Sequence, residues 1–299
     1  MTASAALIQI ALSEAKAFVE AELEVLLPAP VGPEAKLMTA MRYAVLGGGK
    51  RLRPFFVIET GSLFGVDRRS LGRVAAAIEC VHIYSLVHDD LPAMDDDDLR
   101  HGQPTVHKAF DEATAVLAGD ALLTHAFALL AAADTHGDPF VRCELIARLA
   151  QAAGHSGMIG GQVMDLAFES AEPAQHEIIR MQRMKTAALF AFSCEAGAIL
   201  GRASQPLRNG LVAFGQELGL AFQIVDDILD AEGDAGILGK ATRKDVARGK
   251  ATIVAELGTG RAKTQSQAMV KQAIRHLDLF GEKADLLRAA AEYVVSRKH

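Results

Sequence analysis

Residues 88–100 read HDDLPAMDDDDLR, and this stretch, together with residues 223–230, QIVDDILD, decides the predicted fold. In both stretches carboxylates lie at the end of an apolar run. Carboxylates held about 4–5 Å apart repel by roughly 3–4 kcal/mol at an effective dielectric constant of about 20, so such groups converge only around cations. We therefore predict that the two clusters face each other across a cavity and share divalent metal ions.

Helical geometry supports the second cluster directly. Its polar residues follow the spacing i, i+3, i+4 and i+7. This spacing places them on one stripe of a helix: Gln223, Asp226, Asp227 and Asp230. Hard carboxylate oxygens without nearby Cys or paired His residues favour magnesium over zinc.

The first cluster needs a break in its helix. Asp89 and Asp95 lie about 120° apart on a straight helix, but Pro92 cannot continue the hydrogen-bonding pattern, so the helix must kink or end and Asp95 can turn back. A run such as residues 96–98 is more often a solvated face, which we predict for these carboxylates. The spacing also excludes a calcium loop, since the sixth position is not Gly.

Composition indicates close-packed helices. Of the 299 residues, 50% are apolar and 5% aromatic, Trp is absent, and many segments are rich in Ala. No stretch marks a domain boundary, although the acidic clusters lie far apart along the chain. We therefore predict an all-α, single-domain helical bundle over residues 1–299, with the site in a central cavity.

Charge and cysteine usage exclude several partners and locations. The net charge of −6 and the absence of aromatic-basic interleaving argue against nucleic acid. Cys80, Cys143 and Cys194 are widely spaced on apolar helical faces, which predicts buried free thiols in a reducing cytoplasm. Residues 3–27 form an amphipathic helix rather than a signal peptide, and the most apolar run, residues 121–133, is too short to span a bilayer.

A basic segment provides a second candidate site. Lys50, Arg51 and Arg53 precede Pro54, which we expect to start a helix and to force Arg53 into an extended conformation. Cations at a helix start favour a bound phosphate, although the spacing is not that of a Walker loop. A solvated basic turn remains the alternative.

Other residues fit the same picture. His82 shares a helical stripe with Asp89, although a lone His is more often a satisfied core residue. Lys185 lies in a very apolar helix, where a cation is costly unless an anion meets it. The glycines at 160 and 161 permit close helix packing. Residues 233–249 form a polar, cationic loop that is either a lid or an exposed linker.

In this order, the motifs resemble those of the trans-prenyl diphosphate synthase family, in particular its bacterial farnesyl diphosphate synthases. The resemblance extends from about Met41 to Gly258. It rests on Gly48–Pro54, His82, Asp89–Asp95, Gly161-Gln162, Lys185-Thr186, Gln223 with Asp226–Asp230, Gly239-Lys240 and Gly249-Lys250.

The resemblance implies the roles of the site residues. Three magnesium ions would bridge an allylic diphosphate to Asp89, Asp95, Asp226 and Asp230, and Asp90 would support them. The same diphosphate would be bound by Arg100, Lys185 and Lys240, with Lys250 as a further substrate ligand. Isopentenyl diphosphate would be bound by Gly49, Lys50, Arg53, His82 and His101. Thr186, the Lys185 carbonyl and Gln223 would lie beside an allylic cation.

The resemblance also implies ionisation, condensation and elimination, a homodimer, and a fifteen-carbon product set by Tyr84 and the Pro92-Ala93 insertion. The chain departs from the family pattern at His101, where a second arginine is usual, and at Ile253, where an aromatic residue is common. Neutral imidazole would weaken one phosphate contact. The alternatives are a geranyl or geranylgeranyl diphosphate synthase, a terpene cyclase, and a catalytically weak partner subunit.

Overall fold

The computed structural model describes residues 3–232 and 252–297, where the fold is all-α, as predicted. Up to residue 232 the helices are α1 (Ala3–Leu26), α2 (Ala35–Leu46), α3 (Leu52–Ser62), α4 (Arg68–Asp89), α5 (Val106–Ala109), α6 (Glu112–Ala131), α7 (Pro139–Ala153), α8 (Met158–Phe168), α9 (Gln175–Gln182), a π-helical turn (Arg183–Ala187), α10 (Ala188–Leu200) and α11 (Gln205–Glu232). From residue 252 they are α12 (Ile253–Leu257), α13 (Thr259–Arg275), a 3₁₀ segment (Asp278–Ala284) and α14 (Asp285–Ser296).

Helix α4 lies in the centre of the bundle. Its middle, residues 74–78, is fully buried, and the helix packs against α3 and α6. Small residues allow the next layer to approach closely: a Cβ on Gly197 of α10 would lie 2.3 Å from the amide nitrogen of Gly61 in α3. Helix α10 then packs against α11, which carries the second acidic cluster.

After the break at Gly102-Gln103-Pro104, the sequence predicts one helical stretch from Thr105 to about residue 134, and the structure differs from this prediction. Leu99–Arg100 (β1) and Gln103–Pro104 (β2) form a short antiparallel ribbon, and the helical part is divided into α5 and α6. The division occurs at Asp111, whose carboxylate caps α6 by accepting a hydrogen bond from the Thr114 amide at 2.8 Å. The Asp111 cap therefore starts a new helix within a stretch whose apolar pattern alone predicts one continuous helix.

The start of α3 also corrects a prediction. Arg53 is not extended, because α3 already begins at Leu52 and Arg53 lies in its first turn. The change of direction is made instead by Arg51, which has a φ of 51°. Pro54 is tolerated there because amides of the first helical turn have no helical partner.

The cysteine prediction is correct for Cys80 and Cys194, which are buried and free, but wrong for Cys143, which is exposed. Periodicity places Cys143 on α7 without showing which side of that short helix faces the core.

Within the part of the chain that the structure describes, two helices, α4 and α6, are long and apolar enough to span a membrane by length and composition, which the apolar runs of the sequence did not suggest. Of the most apolar part of α4, 78% is buried inside the bundle, and of that of α6, 44%. Burial explains the apolar composition of α4, since it is a central core helix.

Candidate active site

The two acidic clusters line one cavity of about 660 Å³. The sequence prediction that they face a common space is therefore confirmed. Helix α4 and the loop after it, α8, the π-helical turn and α11 form its walls. The predicted site residues found there are His82, Tyr84, Asp89, Asp95, Arg100, His101, Lys185, Thr186, Gln223, Asp226 and Asp230, and Arg53 joins them.

The end of α4 brings Asp95 back to Asp89. Helix α4 ends at Asp89, and the Asp95 amide donates a hydrogen bond of 2.7 Å to the Asp89 carbonyl. The chain breaks before Pro92, as predicted. In the following run, Asp97 is buried, so the expectation that it is solvated is wrong, and its carboxylate lies 3.4 Å from Arg100.

The carboxylates of this cavity fit a hard divalent cation. Burial, opposed by the charge of Lys185 and reinforced by that of Asp95, raises the pKa of Asp89 to about 6, and a bound cation would reverse this shift. Within residues 3–232 and 252–297, no three carboxylate, imidazole or thiol groups approach closely enough to hold one ion by themselves. A magnesium ion here would therefore need further oxygen ligands from water or from a small molecule.

Within the second cluster, the four polar side chains take different directions. Asp226 and Asp230 line the cavity, whereas the buried Asp227 accepts hydrogen bonds from the side-chain amides of Gln182 at 3.0 Å and Gln223 at 2.9 Å. The Gln223 carbonyl oxygen in turn accepts a bond of 2.6 Å from the Thr186 hydroxyl. Asp227 thus fixes the orientation of the Gln223 amide.

The sequence predicts that an anion lies beside Lys185, and this anion is Asp165, whose Oδ2 lies 2.5 Å from the Lys185 ammonium. Lys185 lies in the π-helical turn, where the backbone is wider and locally underwound relative to a continuous α-helix, a feature often found at functional sites. Helix α8 can approach because a Cβ on Gly161 would lie 2.3 Å from the Lys185 amide nitrogen. Sequence reasoning missed Asp165, although it lies one helical turn after Gly161 and thus on the same face.

The basic segment lines a second cavity of about 420 Å³. The predicted ligands found there are Gly49, Lys50, Arg53, His82, Arg100 and His101. Asp226, Asp230 and Phe222 line both cavities, so the two spaces share a wall on α11.

The cations of this second cavity differ in their surroundings. Burial lowers the pKa of Arg53 to about 10, and its guanidinium lies 4.7 Å from the centroid of the Phe190 ring. Burial and the charge of Arg53 hold the pKa of His82 well below its usual range, so His82 is neutral. Burial and the Arg100 charge likewise lower the pKa of His101.

Arg51 lines the second cavity together with Lys50 and Arg53, as predicted, but its charge is already paired inside the protein. Its guanidinium is buried and lies 2.5 Å from Glu79 and 2.6 Å from the Val45 carbonyl. The left-handed backbone at Arg51 turns its side chain inward, which sequence spacing does not reveal.

Arg100 and Asp90 form a pair of their own. Nε of Arg100 donates to both Asp90 oxygens, at 2.8 and 3.0 Å, and the Asp90 side chain is only 4% exposed. Asp90 does not line the larger cavity, so it holds Arg100 at the rim.

Tyr84 lies in the wall of the larger cavity, 5% exposed, with its ring edge-on to His88 at 5.8 Å between centroids. Sequence reasoning also missed Arg297, beyond the end of α14, which forms an ion pair with Asp226. Lys240, Lys250 and the predicted lid at residues 233–249 lie outside the described residues.

The chain matches the family model of polyprenyl synthetase over residues 34–293. It is 44% identical to the farnesyl diphosphate synthase of Escherichia coli (strain K12) over 272 residues, which are 87% of this chain and 89% of that protein. The crystal structure of an FPP/GFPP synthase from Zymomonas mobilis has a TM-score of 0.89 and 48% identity, covering 97% of this chain and 99% of that one. The geranyltransferase from Helicobacter pylori complexed with magnesium and isoprenyl diphosphate has a TM-score of 0.81 and 33% identity, with 96% of both chains covered.

Proposed function

The chain belongs to the polyprenyl synthetase family, and from this premise we propose that it condenses isopentenyl diphosphate with dimethylallyl and geranyl diphosphate to farnesyl diphosphate. The family match confirms the resemblance found in the motifs. The enzyme is a trans-prenyltransferase, as its relatives are.

One observation carries the proposal: an acidic cavity and a basic cavity share a wall at Asp226 and Asp230. An acidic site accepts a diphosphate only together with cations, whereas the basic site accepts one directly. Two unlike diphosphate sites side by side are what a reaction between two diphosphate esters requires.

We assign the metal site to Asp89, Asp95, Asp226 and Asp230, with three magnesium ions when the allylic substrate is bound. Their hard oxygens and the raised pKa of Asp89 support this assignment. Bound magnesium would neutralise the charge of the departing diphosphate. Lys185, held at the cavity wall, and Arg100, at its rim, would bind the same group.

The allylic carbon–oxygen bond breaks first in the proposed reaction. The Thr186 hydroxyl and the Gln223 amide, joined at 2.6 Å, would lie beside the resulting cation, together with the Lys185 carbonyl. The isopentenyl double bond attacks to form the new carbon–carbon bond, and the released diphosphate takes the proton. Apolar residues of the wall, among them Met158, Val163 and Leu166, would keep water away from the cation.

Isopentenyl diphosphate would occupy the second cavity. Gly49, Lys50, Arg53 and the neutral His82 line it, and they would bind its diphosphate. His101 at its rim would contribute a hydrogen bond without a full charge, since burial lowers its pKa.

The alternatives are less well supported. A terpene cyclase needs only one diphosphate site, so the second, basic cavity argues against it. The intact acidic clusters, which both line the larger cavity, argue against a catalytically weak partner subunit. Geranyl and geranylgeranyl diphosphate synthases differ from the proposal only in product length, which depends on the cavity wall at Tyr84.

We further propose a homodimer in the cytoplasm, built from a single domain over residues 1–299. Helix α6 supports the dimer, because Val116 and Leu117 on its outer side are 42% and 56% exposed. The free cysteines support a reducing compartment. We propose no nucleic-acid partner, which the net charge of −6 supports. We also propose that neither α4 nor α6 inserts stably into a membrane. Light scattering of the purified chain tests the dimer.

The decisive experiment is a product assay. Purified protein is incubated with magnesium, labelled isopentenyl diphosphate and either dimethylallyl or geranyl diphosphate. We expect farnesyl diphosphate from both allylic substrates and none after chelation of the metal. Cyclic hydrocarbons would indicate a terpene cyclase, and the absence of any product would contradict the proposed function.

A further inference from the structure

Arg297 folds back from the end of α14 onto α11. Its Nη2 lies 2.6 Å from Oδ1 of Asp226 and 3.1 Å from the Phe222 carbonyl oxygen, and its guanidinium lies 3.8 Å from the centroid of the Phe222 ring. The Arg297 side chain is 2% exposed, whereas that of Asp226 is 43% exposed. A buried cation is therefore fixed on a carboxylate that remains accessible from the cavities.

Asp226 is also one of the residues at which the two cavities meet. It lines both of them, and Arg297 lines the smaller, basic one. Arg297 thus contacts Asp226 from the second cavity and does not line the larger one.

The guanidinium has binding capacity left. Among the residues that the structure describes, Nε and Nη1 of Arg297 are buried and have no hydrogen-bond partner. Buried donors without partners are costly, so a ligand that accepts from them gains affinity. Arg53, on the same cavity, also has a buried Nε without a partner within those residues. Both point to an anion in the smaller cavity.

Arg297 and a divalent cation cannot use Asp226 equally well at the same time. The carboxylate oxygen that accepts from the guanidinium is already neutralised, and a metal ion about 2 Å from it would be repelled by the neighbouring positive charge.

We propose that Arg297 is the resident counter-ion of Asp226, that magnesium displaces it, and that the displaced guanidinium then binds the diphosphate in the smaller cavity. The inference rests on the proposed function for the identity of the two ligands. The exchange itself rests on the contacts between Arg297, Asp226 and Phe222.

Such an exchange couples the cavities. Metal at Asp226 makes the second cavity more positive, and an anion there makes Asp226 easier to occupy. The two effects must be equal in free energy, because coupling between binding sites is reciprocal. Arg297 would therefore favour loading of both cavities together over loading of either one alone.

Binding of Mn²⁺, a spectroscopic substitute for magnesium, tests the exchange without catalysis. Free Mn²⁺ is measured by electron paramagnetic resonance both without and with inorganic diphosphate, and the variants are compared without it, where no anion in the second cavity can bind the displaced guanidinium. The ion at Asp226 is identified as the part of the binding that Asp226→Asn removes. We expect Arg297→Gln to bind this ion roughly tenfold more tightly than the unmodified chain, and Arg297→Lys to bind it with an affinity near that of the unmodified chain.

A second measurement follows the other half of the exchange. Arg297→Gln should raise the KM for isopentenyl diphosphate about tenfold, because the second cavity loses a donor. Arg275→Gln, which removes an exposed cation from α13, is the matched control and should change neither value. Circular dichroism verifies that each variant is folded. Arg297→Met, which keeps an apolar side chain against Phe222 and removes the charge, replaces the Gln variant if that one does not fold, with the same expected result.

Unchanged or weaker Mn²⁺ binding by a folded Arg297→Gln variant would overturn the inference, since a purely structural Arg297 does not compete with metal. Failure of the unmodified chain to bind Mn²⁺ with diphosphate would instead refute the proposed function. The two failures are therefore distinguishable.

Discussion

The ammonium of Lys185 lies 2.5 Å from Oδ2 of Asp165, and this contact joins the π-helical turn to α8. The Lys185 side chain is 26% exposed, so it reaches the cavity while one side of it is held by the carboxylate. Gly161 brings the two backbones close enough for the pair to form. We therefore expect Asp165 to position Lys185, a proposed diphosphate ligand.

Asp165→Asn should lower kcat/KM for the allylic substrate roughly ten- to hundredfold. The variant keeps the shape of the side chain but removes the charge that orients Lys185, and misplacement of a binding group by about 1 Å is sufficient for such a loss. Steady-state kinetics at saturating isopentenyl diphosphate measures the effect.

Asp165→Glu should restore part of the activity, because it returns the charge. Asp134→Asn is the matched control, since Asp134 also pairs with a cation, Arg69 at 2.7 Å, but both side chains are more than half exposed. Equal losses in the Asp134 and Asp165 variants would argue against a positioning role.

Replacing Arg51 should affect mainly stability, whereas replacing its neighbour Lys50 should affect mainly substrate binding. Arg51→Met is expected to lower the free energy of unfolding by about 3–5 kcal/mol, because it leaves the buried Glu79 carboxylate without its partner. Lys50→Gln should change stability by less than about 0.5 kcal/mol but raise the KM for isopentenyl diphosphate. Denaturant unfolding and steady-state kinetics separate the two effects.

The double variant Arg51→Met with Glu79→Met provides the control. Replacing both partners removes the uncompensated charge, so it should recover much of the lost stability. A double variant no more stable than the single one would show that the packing of Arg51, and not its charge, supports the fold.

Sequence was sufficient for the parts of the fold that depend on regular periodicity. The stripe on α11 and the break before Pro92 follow from helical geometry, and both acidic clusters line the cavity predicted for them. The helix boundaries at residues 105–134 did not follow, because the Asp111 cap competes with an apolar pattern that continues through it. Local hydrogen bonds of single side chains decide such boundaries.

The directions of individual side chains were also beyond the sequence. Asp226 and Asp227 are adjacent, yet one lines the cavity and the other holds Gln182 and Gln223. Arg51 points inward because of one left-handed residue. Arg297 could not be assigned, since its contact with Asp226 depends on how the last helix folds back onto α11.

His101→Arg should lower the KM for isopentenyl diphosphate about tenfold at pH 8. His101 lies in the turn of the β ribbon, where its φ of 53° and that of Gly102 at 78° suit a type I′ turn. Burial and the charge of Arg100 lower its pKa, so the imidazole is neutral at pH 8, whereas arginine adds a charged donor.

The dependence of the KM for isopentenyl diphosphate on pH tests whether protonation of His101 matters. A lowered pKa means that His101 gains a proton only below its usual range, so the KM of the unmodified enzyme should improve toward acidic pH, and the difference from His101→Arg should shrink there. His176→Arg on the exposed side of α9 is the control and should leave the KM unchanged. A difference that is constant with pH would contradict the role of His101 protonation.

Tyr84→Ala should lengthen the product. The Tyr84 ring fills the wall of the larger cavity beside His88, whose imidazole is fixed 3.0 Å from the Val116 carbonyl. Removing the ring opens space for a longer hydrocarbon chain, so products beyond fifteen carbons should become the majority by mass spectrometry. The space left by the deleted ring also lowers the free energy of unfolding, by about 3–5 kcal/mol for loss of a buried aromatic ring. The folding of the variant must therefore be measured together with its products.

Tyr84→Phe is the matched control, because it keeps the ring and removes only the hydroxyl. That hydroxyl is buried and has no hydrogen-bond partner within residues 3–232 and 252–297, so its removal should not destabilise the protein. The Phe variant should therefore give the fifteen-carbon product of the unmodified enzyme. If Tyr84→Ala folds and its product profile is unchanged, the ring does not limit chain length, and the limit must lie elsewhere on the cavity wall.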